Sequence, residues 1–158
     1  MSRFWHAVPM TTSDAPHISH STAHRRIDLT KMGEGRFKAT NARGGVVSVG
    51  SGGDPDFTPV ELLLAALAGC SAIDVDLITG KRASAVSFDV VAEGEKIRDD
   101  QGNRLTDLRL TFDIRFPEGE DGDRAREVLA RSIAQSRDRL CTVGRTVQVG
   151  APIEYDEA

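Results

Sequence analysis

Two sulfur atoms carry the chemistry that this sequence offers. Cys70 lies inside an apolar run that opens at Thr58-Pro59 and closes at Asp74, and Cys141 follows an amphipathic stretch in Arg139-Leu140-Cys141-Thr142-Val143-Gly144. A thiolate attacks a peroxide or a disulfide where a thiol does not, and the sulfenic acid that results must be captured by a second thiol before it oxidises further. If the fold brings the two sulfurs together, the pair supports thiol redox chemistry. Otherwise a buried cysteine on a helical stripe is a small apolar side chain. Two cysteines are too few for a disulfide framework and lack the paired spacing of a zinc site. The four histidines, His6, His17, His20 and His24, fall in a segment read as a flexible arm, where a metal would lack fixed geometry, so no metal is expected.

The elements that must position these sulfurs follow from periodicity. Thr58 is an N-cap candidate with Pro59 at the first helical position and Glu61 three residues past the cap, a capping box. Val60, Leu63, Leu64, Leu67, Cys70, Leu77 and Ile78 then keep helical spacing, which places Cys70 on the buried stripe, with Gly80 as the stop. Gly69 leaves open space beside the sulfur. Asp74, one turn past Cys70, is read as a solvated carboxylate, or as a group that tunes the thiol or caps a partner helix. Before this helix, residues 26–49 read as short strands separated by glycine turns. After it, the alternation over 85–92 and 105–116 predicts an antiparallel hairpin turning at 99–103. Asp123 opens a second helix with Val128, Leu129, Ser132, Ile133, Ser136 and Leu140 on its buried face, and Val147–Tyr155 reads as a closing strand. Residues 1–24, rich in Ser, Thr, His and Pro, read as a flexible arm or a partner-docking extension, and 25–158 as one domain.

Composition removes other classes of function. A chain of 158 residues with 39% hydrophobic and 28% charged residues suits one globular domain. A net charge of −4 and few, scattered aromatics argue against a nucleic-acid partner. No run is expected to reach the ~20 apolar residues of a membrane span, and the N-terminus lacks a secretory h-region. A cytoplasmic location is therefore expected, where paired cysteines are more often catalytic than structural.

The order of elements, with Thr-Pro-Val-Glu-Leu-Leu-Leu-Ala-Ala-Leu-Ala-Gly-Cys around Cys70 and a second cysteine after the amphipathic helix, resembles the OsmC/Ohr family of osmotically inducible and organic hydroperoxide resistance proteins. The resemblance covers roughly residues 26–155, and Gly-Cys-Ser-Ala-Ile-Asp is most similar to the OsmC-like branch. It implies an α+β fold, with antiparallel sheets wrapped around two central helices in an intertwined homodimer. It further implies a thiol peroxidase for organic hydroperoxides that uses an external dithiol reductant and no cofactor. Under it Cys70 is the attacking thiol and Cys141 the resolving one. Arg36, or Arg43, supplies the cation that a buried thiolate requires, and Glu61 orients that arginine. The family's glutamate directly follows the helix proline, where this chain has Val60; Glu61 is rotated from that position by about 100°. Thr142 and Gly144 replace the Pro and Ser that usually follow the second cysteine. The oily run around Cys70, with Phe57, Leu63 and Leu67 as walls, favours bulky hydroperoxides. Two other readings stay open: a non-catalytic module that binds an apolar ligand, and a redox sensor.

Overall fold

The computed structural model describes residues 23–157. The greater part of the expected arm, with His6, His17 and His20, lies outside them; His24 is exposed. Three short strands come first, β1 (Ile27–Gly33), β2 (Arg36–Asn41) and β3 (Val46–Val49), paired antiparallel in that order. Their turns are set by local chemistry. Gly35 takes φ +64 between β1 and β2, a conformation that a side chain would strain. Between β2 and β3, Asn41 Oδ1 accepts the amides of Arg43 and Gly45 at 2.9 and 3.0 Å.

Helix α1 (Pro59–Thr79) forms where its capping box predicts. Thr58 Oγ1 accepts the Glu61 amide at 3.3 Å, and Glu61 Oε2 accepts the Thr58 amide at 2.7 Å. The Thr58 amide and hydroxyl, both donating to the Glu61 carboxylate, hold the Glu61 carboxyl below its ordinary value. The sign follows: the box stabilises the fold above the usual glutamate range, and that contribution is lost as pH falls through the depressed value. Thr58→Ala is expected to lower unfolding stability by about 1 kcal/mol, read from the urea midpoint, with a smaller acid-side loss than in the parent protein.

The inward face of α1 differs from the expected stripe. Leu67, Ser71, Val75 and Thr79 are buried, at successive four-residue steps, and Cys70 beside them is only half-buried. Leu63, Ile73 and Leu77 are exposed. The helix is apolar nearly all round, so period alone does not locate its inner side. Small polar residues occupy the close approach instead, each satisfied within the structure: Thr79 Oγ1 donates to Val75 O at 2.9 Å, and Ser132 Oγ to Val128 O at 2.8 Å. The expectation that no run reaches membrane length is also corrected. By length and composition, the 21 residues of α1 are apolar enough to cross a bilayer, because alanines fill the gaps between its leucines.

β4 (Ser87–Asp99) and β5 (Gly102–Arg115) form the predicted hairpin, paired from Ser87 with Arg115 to Asp99 with Gly102. The register shifts between Glu93 and Glu95, opposite Asp107 at φ +53. A Cβ on Gly94 would meet Leu108 Cδ2 at 2.7 Å and Thr106 O at 3.2 Å, so a side chain there would displace the end of Leu108. α2 runs Glu120–Gln135, starting three residues before the expected Asp123. Glu120, Asp121 and Asp123 in its first turn suit the positive end of the helix dipole. A π-helical turn (Ser136–Leu140) follows, then α3 (Thr142–Val149). The closing strand expected over Val147–Tyr155 is thus absent. Its β-branched residues suggest a strand, but the Arg145 amide bonds Cys141 O and the Gly150 amide bonds Thr146 O, both at 2.9 Å. The chain is therefore helical to Val149, where Gly150 at φ +76 ends the helix.

α1 packs on β4, on α2, on the π-turn and on α3. The three-stranded sheet leaves Ile27, Leu29, Met32, Val46 and Val47 exposed.

Candidate active site

Cys141 reaches the interior because of the π-turn. The Cys141 amide bonds Ser136 O at 3.0 Å, five residues back, and this wider turn slips the helical register. Cys141 then caps α3 with an extended backbone and is 1% exposed. Its Sγ accepts the Gly144 amide at 3.2 Å. A Cβ on Gly144 would lie 3.2 Å from that sulfur, so the glycine permits the approach.

Cys70 meets the same helix end. The Val143 amide lies close enough to lower the Cys70 pKa, so the first turn of α3, whose Gly144 amide bonds Cys141 Sγ, faces both sulfurs. Both thiols are free, and the sulfurs of Cys70 and Cys141 and a carboxylate oxygen of Asp74 all lie within 4.8 Å of one another. Asp74 Oδ2 accepts the Ser136 hydroxyl at 2.9 Å, which ties α1 to the π-turn. Cys141 lines a cavity of about 390 Å³ together with Leu67, Ser71, Phe112, Ile133 and Arg137, among others, while Cys70 lies outside that lining.

Burial pushes the Cys70 thiol up from its ordinary value. The Val143 amide opposes that shift, while the neighbouring Cys141 sulfur and the Asp74 charge add to it. Cys70 in the lone chain is therefore biased toward the thiol. Asp74→Asn removes the weakest of the raising influences, so iodoacetamide labelling of Cys70 in reduced, chelator-treated protein is expected to quicken at neutral pH, with its pH profile displaced toward acid. Peptide mapping of the labelled cysteine checks this, and an unmoved profile would refute the role of the Asp74 charge.

The other predicted site residues lie elsewhere in the chain. Arg36 Nη2 pairs with Asp56 Oδ2 at 2.6 Å and Arg36 Nε lies 3.8 Å from Asp54 Oδ2; the bond to Asp56 raises the Arg36 pKa. Arg43 is exposed in the turn between β2 and β3. Glu61 spends its carboxylate on Thr58. No arginine of the described residues is among the groups that act on the Cys70 thiol. Of the expected apolar walls, Leu67 lines the cavity, while Leu63 faces a groove with Pro59, Val60 and Leu105 and Phe57 is exposed. Ser136 and the two α3 amides are the site groups that sequence reasoning missed. The signal for Ser136 is its place on the buried face of the second helix as the sequence predicts it, one turn from Ser132.

A family model described as OsmC-like protein matches residues 51–156, more than half of the chain. The chain belongs to the OsmC-like family. An uncharacterised protein of Mycobacterium tuberculosis is 30% identical over 130 residues, spanning 81% of this chain and 92% of that protein. Among solved structures, an OsmC-like protein of unknown function from Vibrio cholerae superposes with a TM-score of 0.67 at 15% identity, covering 80% of this chain and 95% of the other. A hypothetical protein from Aquifex aeolicus gives 0.66 at 17% identity, with 82% and 90% covered. At these identities the likeness establishes the OsmC-like α+β fold, as the sequence led us to expect.

Proposed function

We propose that this OsmC-like protein is a thiol peroxidase for organic hydroperoxides, with Cys70 attacking and Cys141 resolving. The observation that carries the reading is that Cys70, Cys141 and Asp74 place their reactive atoms within 4.8 Å of one another. The Cys70 thiolate attacks the terminal peroxide oxygen, the O–O bond breaks, and the departing alkoxide takes a proton to become an alcohol. The resulting sulfenic acid is attacked by Cys141 sulfur, forming an S–S bond and releasing water. An external dithiol then returns two electrons and two protons, becoming a disulfide itself. Closing the bond requires the sulfurs to approach by less than about 3 Å, since a disulfide spans about 2.05 Å. The apolar cavity suits a hydroperoxide with a hydrocarbon body, and a reducing cytoplasm would supply the dithiol.

The working form in this reading is a homodimer. The exposed face of α1 and the uncovered sheet are the surfaces a second copy would cover, and that copy would bring Arg36, or Arg43, to the Cys70 sulfur. Glu61 would then orient the guanidinium after exchanging its bonds to Thr58. The raised Cys70 pKa and the engagement of Arg36 by Asp56 favour a second reading, a module that holds an apolar ligand without turnover. Hydroperoxide consumption with a dithiol separates the two. The peroxidase consumes cumene hydroperoxide and loses this with Cys70→Ser; a binding module leaves the peroxide at the level of the dithiol alone.

A further inference from the structure

We propose that Cys70, Asp74 and Cys141 together form a binding site for a thiolate-preferring divalent cation of the zinc class. The site shares its sulfurs with the proposed peroxidase but stands without it. In sequence the two cysteines lack zinc-finger spacing, which is why no metal was expected there. The fold supplies what spacing does not, because one ligand pair comes from α1 at a four-residue step and the third ligand from the cap of α3. The three donor atoms already lie within 4.8 Å of one another. Tetrahedral zinc with Zn–S near 2.3 Å and Zn–O near 2.0 Å needs separations of roughly 3.5 to 3.8 Å. Side-chain shifts of about an ångström therefore complete the geometry.

The donor chemistry selects the ion. Thiolates favour zinc-class ions over magnesium or calcium, which prefer oxygen alone. Three protein ligands leave a fourth position for water, and the cavity that Cys141 lines gives it room. The outer groups are also in place. The buried Ser136 hydroxyl holds Asp74 Oδ2, leaving the carboxylate's second oxygen, and the amides of Val143 and Gly144 meet negative charge on the sulfurs. Binding releases both thiol protons to solvent and occupies both sulfurs. Metal and disulfide are thus mutually exclusive states of the pair.

The test is anaerobic titration of reduced, chelator-treated full-length protein with Co²⁺. A sulfur-to-cobalt charge-transfer band with tetrahedral visible bands is expected at one Co²⁺ per chain, displaced by Zn²⁺. The N-terminal histidines, which carry no sulfur, cannot produce the charge-transfer band. Asp74→Asn, nearly isosteric, is expected to weaken Co²⁺ binding by about 10- to 100-fold, with circular dichroism confirming the fold. Cys141→Ser is expected to lose the one-to-one band. Absence of the band while two thiols per chain remain titratable would overturn the proposal, as would parent affinity in Asp74→Asn. Hydroperoxide consumption by the metal-free protein is read separately, so its failure with the band intact sinks the peroxidase and leaves the metal site standing.

Discussion

Reduced protein given one equivalent of an organic hydroperoxide is expected to become about two mass units lighter, the signature of a bridge between Cys70 and Cys141. Cys141→Ser should instead gain one oxygen at Cys70, trapped by dimedone as a sulfenic acid, and go on to the sulfinic acid when peroxide is in excess. Cys70→Ser should neither lose mass nor consume peroxide, a drop of at least about a hundredfold, as expected when a nucleophile that acts as part of a unit is removed. The asymmetry is the informative part. Removing the resolving thiol leaves the first oxidation intact and blocks only the return by dithiol, whereas removing the attacking thiol stops both. Cys141 is the more buried sulfur and Cys70 the more accessible one, which favours Cys70 as the first to meet peroxide. If Cys141→Ser, rather than Cys70→Ser, abolished the first oxidation, the roles would have to be exchanged. If neither variant formed a trapped sulfenic acid and the parent lost no mass, the peroxidase reading would fail.

Legibility in the sequence followed the range of the interaction. The capping box at Thr58 and Glu61 was readable because all its partners lie within four residues, and the long hairpin because its strands alternate on both sides of a polar turn. Val147–Tyr155 was misread because β-branched residues carry the same signal in a strand and in a short helix whose cap is a cysteine. The inner side of α1 was hidden for the opposite reason, too many apolar residues rather than too few. At the site, the candidate thiols could be named from sequence, but the π-turn that re-aims Cys141 has no sequence mark. The bond from Ser136 to Asp74 joins residues from two helices, and nothing local to either predicts it. Among the described residues no arginine acts on the Cys70 thiol, although Arg137 lines the cavity beside Cys141 and the sequence offered arginines on the first sheet. That gap points to the surfaces the chain leaves bare.

The protein is expected to sediment at twice its chain mass, and Ile73→Asp should weaken that association by at least a hundredfold. Ile73 is 63% exposed on α1, beside Leu77 at 63%, while the first sheet presents Leu29 and Val46. Apolar side chains exposed on two elements are the surfaces that a second copy would cover in the proposed dimer. Covering them would remove that apolar surface from water, each large side chain contributing about 1.5 to 3 kcal/mol when fully buried. A carboxylate at position 73 would have to be desolvated without a partner, a penalty of several kcal/mol, while the lone chain would carry it in water at little cost. Sedimentation over a range of concentrations reads the change directly. The two expectations are linked through Cys70. If a second copy supplies the guanidinium, peroxide consumption per chain falls as the Ile73→Asp protein is diluted and the parent's does not. A dissociated variant that keeps full activity would place the cation within one chain, and an undissociated one would move the interface away from this face of α1.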